Sequence, residues 1–183
     1  MSTADEDRSG GRSRLSRWFW GPHAALALKV AAAVFVIDQA HKWWMLLIYR
    51  IAEKGRVEIT PFLDLVFVKN TGISYSMLDQ SGQGWQNVLA LFAVVASLAL
   101  WIWLSVAGTG RLMAIALGLI IGGAIGNGLD RLLIGGVADF FSLHAFGYYW
   151  YVFNIADVAI VAGVVALLYD SIVGSRNDAA NPM

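Results

Sequence analysis

The 183-residue sequence contains no cysteine, few charged residues and no excess of either charge. Because it has no thiol, a disulfide, a thiolate metal site and a cysteine nucleophile are excluded. Its three histidines, His23, His41 and His144, lack the spacing of zinc ligands, so neither a metal nor another cofactor is expected. The 13 basic and 13 acidic residues cancel, which argues against a nucleic-acid partner because phosphate binding needs a basic excess.

Apolar residues, in contrast, make up 58% of the chain, and its mean hydropathy is +0.61. This composition is typical of an integral membrane protein. Four segments are long enough to cross a bilayer as helices of roughly 20 residues: about residues 24–48, 86–107, 112–133 and 152–173. We therefore expect one mainly α domain over residues 21–174, with polar tails at 1–20 and 175–183.

The distribution of arginine predicts how these helices are oriented. The N-terminal tail is rich in arginine, and Arg111 and Arg176 lie in the second connection and the C-terminal tail, so both termini are expected in the cytoplasm. Loops 49–85 and 134–151 then lie outside. Short strands are predicted at 57–60 and 63–68 in the first of these loops, whereas the aromatic run 148–151 is typical of a membrane-interface belt.

Polar residues of several helices are predicted to meet at the outer end of the bundle. With a rise of about 1.5 Å per residue, Asp38 lies roughly 21 Å and Asp157 roughly 24 Å from the cytoplasmic ends of their helices. Asn127 and Asp130 come to a similar height. Asp38 is also four residues from Lys42, so this pair could neutralise itself and support the fold.

Two acidic residues, Asp139 and Asp157, lie between long apolar stretches. Two neighbouring carboxylates share a proton, so one can activate water while the other polarises a carbonyl group. The structural alternative is that they cap helix ends or pair with Arg131 and Lys42. A proton-coupled transporter and a lipid-binding scaffold also remain open, whereas a serine mechanism at Ser74 has only a weak motif.

Five ordered segments between about residues 30 and 172 carry a more specific signal. They are Val36-Ile37-Asp38-Gln39 with Lys42, Lys69-Asn70-Thr71-Gly72 followed by Ser74, Gly123 to Arg131, Val137-Ala138-Asp139-Phe140, and Phe153-Asn154-Ile155-Ala156-Asp157. Together they resemble the motifs of the lipoprotein signal peptidase, or type II signal peptidase, family. The match depends on all five motifs in this order, since each one alone is weak.

The resemblance implies an aspartic endopeptidase of the bacterial inner membrane, with a small periplasmic β-sheet cradle and its active site toward the periplasm. Its expected substrate is a membrane-embedded prolipoprotein with a diacylglyceryl group on the lipobox cysteine, cut on the N-terminal side of that cysteine. The expected ligands also include bilayer phospholipid and cyclic peptides such as globomycin, and a monomer is expected. By position, Asp139 and Asp157 match the catalytic pair. The matching support residues are Asp38, Lys42, Asn70, Gly72, Asn127, Asp130, Arg131 and Asn154.

Overall fold

The computed structural model describes residues 19–72, 82–107 and 110–180, with side chains to residue 172. Ser74, the N-terminal tail to residue 18 and the last three residues lie outside this range. Four helices are long and apolar enough to cross a membrane, as the sequence predicts. They are α1 (Ala24–Trp43, extended by a π-helical turn Trp44–Ile48), α3 (Gln83–Val106), α4 (Arg111–Ile134) and α5 (Ile155–Ala180), while α2 (Ile51–Lys54) is one short turn.

Helix α4 is the centre of the bundle, since 56% of its most apolar stretch is buried, compared with 17–28% in the other three. Small residues allow this central position. A methyl group at Gly122 would lie 2.5 Å from the carbonyl oxygen of Ala31 in α1. One at Gly123 would lie 2.6 Å from that of Ala156 in α5. The two neighbouring helices therefore approach α4 at backbone contact, the geometry that small residues permit within membranes.

Outside the bundle lies one antiparallel sheet with the strand order β1-β2-β3-β4. The first loop supplies the predicted strands β1 (Val57–Thr60) and β2 (Leu63–Asn70). The second loop supplies β3 (Val137–Ala145) and β4 (Tyr148–Phe153), so the sheet extends beyond the loop in which it was predicted. The fourth long helix consequently begins at Ile155 rather than near residue 152.

The sheet is tied together by a buried carboxylate on β2. Asp64, 1% exposed, accepts one hydrogen bond from Arg56 Nη1 at 2.6 Å and lies 3.0 Å from His144 Nε2 on β3. Burial alone would raise its pKa, but the hydrogen bonds from Arg56 and His144 outweigh burial and lower that pKa below its ordinary value. The end of the sheet nearest the bundle packs on an apolar cluster of Met45, Ile51, Ala138 and Phe140, which fixes β3 against the helices.

Candidate active site

Asp139 lies on β3, where the sheet meets the helices. Its strand pairs with β2 so that Val68 lies opposite Asp139 and Asn70 lies opposite Val137. This register brings the Asn70 amide nitrogen within 3.1 Å of Asp139 Oδ2. The Asn70 amide oxygen accepts a bond from the Gly72 backbone N–H. The Asp139 carboxyl group, 1% exposed, is therefore held from the β2 side by a side chain that is itself fixed.

Asp157 lies in the first turn of α5, and local sequence explains its position. Asn154 is the residue before the helix, and its Oδ1 accepts the backbone N–H of Asp157 at 3.0 Å. In return, Asp157 Oδ2 accepts the backbone N–H of Asn154 at 3.2 Å. This reciprocal pair is a capping box, so the predicted helix-capping alternative is correct for Asp157. Its other oxygen, Oδ1, accepts a bond from Asn127 Nδ2 on α4 at 2.8 Å.

Asn154 joins the two acids into one site. Its side-chain Nδ2 donates to Asp139 Oδ1 at 2.6 Å and to Asn127 Oδ1 at 3.1 Å, while its backbone holds Asp157. Each aspartate therefore accepts two N–H groups, and neither has a lysine or arginine within 4.0 Å among the described residues. The predicted pairing with Arg131 or Lys42 is wrong, because those cations bind elsewhere.

Burial and the neighbouring carboxylate change the acidity of Asp139. Loss of hydration, and to a smaller degree the charge of Asp157, raise the pKa of Asp139 to about 7, against the lowering effect of its bonds from Asn70 and Asn154. The group therefore retains a proton to near neutral pH. A protonated carboxyl group beside a second carboxylate is the arrangement in which one acid donates a proton and the other accepts one.

Behind the two acids lies a fully buried ion cluster. Lys42 Nζ is 2.8 Å from Asp38 Oδ2 and 2.8 Å from Asp130 Oδ2. The predicted pair of Asp38 and Lys42 is thus confirmed and gains a second carboxylate from α4. Gln39, which the sequence analysis did not single out, donates to Asp130 Oδ1 at 3.0 Å. Its position directly after Asp38 in the first motif was the available signal.

In front of the acids lies a polar cavity of about 170 Å³. Arg131 reaches it from α4, where its Nη1 donates to the backbone oxygen of Asn127 at 3.0 Å. The Arg131 Nε atom is buried and has no hydrogen-bond partner within the described part of the chain. An N–H donor without a partner on a side chain that lines a cavity can bind a peptide carbonyl group. The residues lining the cavity are Asn70, Gly72, Asn127, Arg131, Val137, Tyr151 and Asp157.

All the sequence-predicted site residues that the structure describes thus meet in two adjoining layers. The layer facing the cavity contains Asn70, Asn127, Arg131 and Asp157, with Asp139 bonded to Asn70 behind it. The layer beneath it contains the ion cluster. Val137 and Tyr151 were missed because an apolar residue and an aromatic run carry no polar spacing signal. Tyr151 reaches the cavity only because the run 148–151 belongs to strand β4.

Comparison with known proteins gives one consistent family. A family model described as signal peptidase (SPase) II matches residues 30–173. A lipoprotein signal peptidase of Rhodopseudomonas palustris is 51% identical over 81% of this chain and 93% of its own length. Another from Methylocella silvestris is 46% identical over 82% of this chain and 88% of its own length.

Solved structures extend the similarity to the fold. One described as a bacterial membrane enzyme has a TM-score of 0.66 at 26% identity and covers 87% of this chain and 92% of its own. A second, described in the same way, has a TM-score of 0.66 at 27% identity and covers 79% of this chain and 91% of its own. The helices and the sheet are therefore shared over nearly the whole of those chains.

Proposed function

We propose, from the premise that this chain belongs to the signal peptidase II family, that it is an intramembrane aspartic endopeptidase that removes signal peptides from lipid-modified prolipoproteins. The observation that carries the aspartic mechanism is the contact of Asn154 with both Asp139 and Asp157. An aspartic mechanism needs two carboxyl groups held side by side at the edge of an accessible cavity. Asp157 lines the polar cavity described above. The catalytic residues are Asp139 and Asp157.

The two aspartates take different roles in this proposal. Asp157 lies in the first turn of α5 and lines the cavity, so it is the acid placed to accept a proton from a water molecule there. Asp139, with its pKa near 7, carries the proton. Asp157 removes a proton from water while the water oxygen bonds to the scissile carbonyl carbon, and Asp139 gives its proton to the carbonyl oxygen. The C–N bond then breaks as Asp157 returns its proton to the amine and Asp139 recovers its own.

The substrate is held by the polar lining of the cavity. The unpartnered Arg131 Nε donates to a peptide carbonyl next to the scissile bond. Asn70 and Gly72, which line the same cavity, bind the adjoining peptide backbone. These contacts replace the water that the peptide groups lack at this depth. The site faces the periplasm of the bacterial inner membrane, with both termini cytoplasmic, and the cut falls N-terminal to a cysteine carrying diacylglyceryl.

The test is cleavage by the purified full-length protein in lipid nanodiscs, with a diacylglyceryl-modified precursor and the unmodified precursor as substrates. We expect mass spectrometry to show one product that begins at the lipidated cysteine, and no product from the unmodified precursor. Globomycin should block the reaction and a metal chelator should not affect it. Loss of activity on chelation, or wild-type turnover by Asp139→Asn, would refute the two-aspartate mechanism.

A further inference from the structure

The Lys42 ammonium group takes no direct part in the proposed proton transfers, but its contacts lead to both catalytic aspartates. It is 2% exposed and lies 2.8 Å from Asp38, 2.8 Å from Asp130 and 2.9 Å from Asn127 Oδ1. An ammonium group has three N–H donors, so these three acceptors account for all of them. Each acceptor continues toward one of the two catalytic aspartates, and we call these three connections the arms of Lys42.

The first two arms end on the backbone next to the catalytic residues. Asp38 uses its second oxygen, Oδ1, to accept the N–H of Ala156 at 2.9 Å, and Ala156 directly precedes Asp157. Asp130 accepts the N–H of Ala138 at 3.1 Å through Oδ2, and Ala138 directly precedes Asp139. A single ammonium group is therefore linked through two carboxylates to the start of α5 and to strand β3.

The third arm orients a side chain that touches Asp157. Asn127 Oδ1 accepts from Lys42 at 2.9 Å and from Asn154 at 3.1 Å. With its oxygen held by two donors, the Asn127 amide can present only its NH₂ group to Asp157, at 2.8 Å. Since Lys42 carries N–H donors and no acceptor, the reversed amide would set donor against donor. Lys42 thereby keeps Asn127 as a donor to the Asp157 carboxylate.

On the basis of the proposed function, we infer that Lys42 is a positioning residue that sets the distance and orientation between the carboxyl groups of Asp139 and Asp157. A buried ion cluster is a poor means of stabilising a bundle, because desolvation offsets much of the attraction between its charges. The glycine-mediated contacts of α4 with α1 and α5 already pack these helices. All three arms instead end at, or one residue before, a catalytic aspartate.

A charge-matched double variant tests this role. The wild-type cluster has one cation and two carboxylates, formally −1 in total, and Lys42→Met/Asp38→Asn leaves Asp130 alone, again −1. The variant therefore leaves one buried carboxylate without its cation, whereas Lys42→Met alone would leave two. Because a misplacement of about 1 Å can cost on the order of 100-fold in rate, we expect kcat to fall about 10- to 100-fold. KM should stay close to that of the wild type.

A gentler pair of variants perturbs the geometry without removing a charge. A methyl group at Gly126 would lie 2.8 Å from Asp38 Oδ2, the oxygen that holds Lys42. Two residues along the same helix, a methyl group at Gly128 would instead meet the methyl group of Ala93 at 3.3 Å. We expect Gly126→Ala to lower kcat while Gly128→Ala leaves it unchanged, with both proteins folded by thermal unfolding in detergent.

The outcomes separate this inference from the proposed function. Cleavage by the wild type, its loss in Asp139→Asn and lowered kcat in folded Gly126→Ala and in the double variant would support both. Normal kcat in both Gly126→Ala and the double variant would overturn the role of Lys42 and leave the peptidase function intact. If Gly126→Ala and Gly128→Ala lose activity equally, in proportion to the loss of folded protein, then the ion cluster supports the fold. That outcome would also overturn the positioning role of Lys42.

Discussion

The two ends of the helical bundle differ in the kind of residue that they bury. At one end, α1, α3 and α4 bury a wholly apolar cluster of Ala27, Leu104, Ala114 and Leu117. At the other, α1 and α4 bury Asp38, Lys42, Asn127 and Asp130, linked to one another by hydrogen bonds and ion pairs. Close packing of these helices therefore does not require the polar residues. Their presence at one end is instead explained by the function that we propose for that end.

The apolar end of the bundle also argues against the alternative function, a proton-coupled transporter. A proton relay would need ionisable groups that continue through the bundle. In the described part of the chain the buried ionisable residues are Asp38, Lys42, Asp64, Asp130 and Asp139, and none of them belongs to the apolar cluster around Leu117. The polar residues thus form a site at one end rather than a path, in agreement with membership of a peptidase family.

The largest effect should follow from replacing either of the two proposed catalytic acids, Asp139 and Asp157. Asp139→Asn and Asp157→Asn keep the size of the side chain but remove proton transfer, so we expect turnover to fall on the order of 10²- to 10⁴-fold. Cleavage of the lipid-modified precursor measures it. A polar end that served only the fold would give active enzyme, so measurable wild-type rates in either variant would remove the distinction between the two ends.

The next effect is on pH dependence. Because the pKa of Asp139 is raised to about 7, its proton is lost above that pH, and kcat/KM should decline about tenfold per unit further up. Between the ordinary pKa of about 3.9 and about 7, the folded state binds more proton than the unfolded state. Stability in detergent should therefore fall as pH rises through this range.

Asp139→Asn provides the control for that pH effect, because its amide remains neutral. Its melting temperature should lose this part of the pH dependence, while a variant at the apolar end should retain it. An unchanged slope in Asp139→Asn would mean that another group binds the proton.

A smaller effect is expected from Arg131, which lines the cavity and forms no ion pair with Asp139 or Asp157 among the described residues. Arg131→Met should raise KM for the precursor about tenfold, equivalent to losing a hydrogen bond from a charged group of roughly 1.5 kcal/mol, with less change in kcat. Initial rates over a range of substrate concentrations would show this. A change confined to kcat would instead place Arg131 in the transition state.

The smallest catalytic effect should come from a change in packing at Gly122, where α4 contacts the backbone of α1. Gly122→Ala forces a methyl group against the Ala31 carbonyl oxygen, and such overpacking typically costs about 1–3 kcal/mol. We expect a lower melting temperature but an unchanged kcat per folded molecule. Gly84→Ala, whose methyl group would meet no atom within 4 Å, is the matched control and should lower neither quantity.

Much of the site could be predicted from the sequence because helix geometry is regular. A constant rise per residue placed Asp38, Asn127, Asp130 and Asp157 at one height, and the structure joins them there. The capping box of Asn154 and Asp157 is likewise local, since it depends on two residues three positions apart. The sheet was harder to predict. Strand β4 exposes most of its aromatic residues, so it lacks the alternation that identifies a strand.

The sequence by itself determined the membrane-spanning class, the four long helices and the residues available for catalysis, because hydropathy and helix periodicity are properties of the chain. Only the tertiary structure decided how those residues are connected. The backbone N–H groups of Ala138 and Ala156 bind Asp130 and Asp38, and no side-chain pattern records a backbone donor. The pairing of Lys42 with Asp130 on a separate helix likewise depends on how α1 packs against α4.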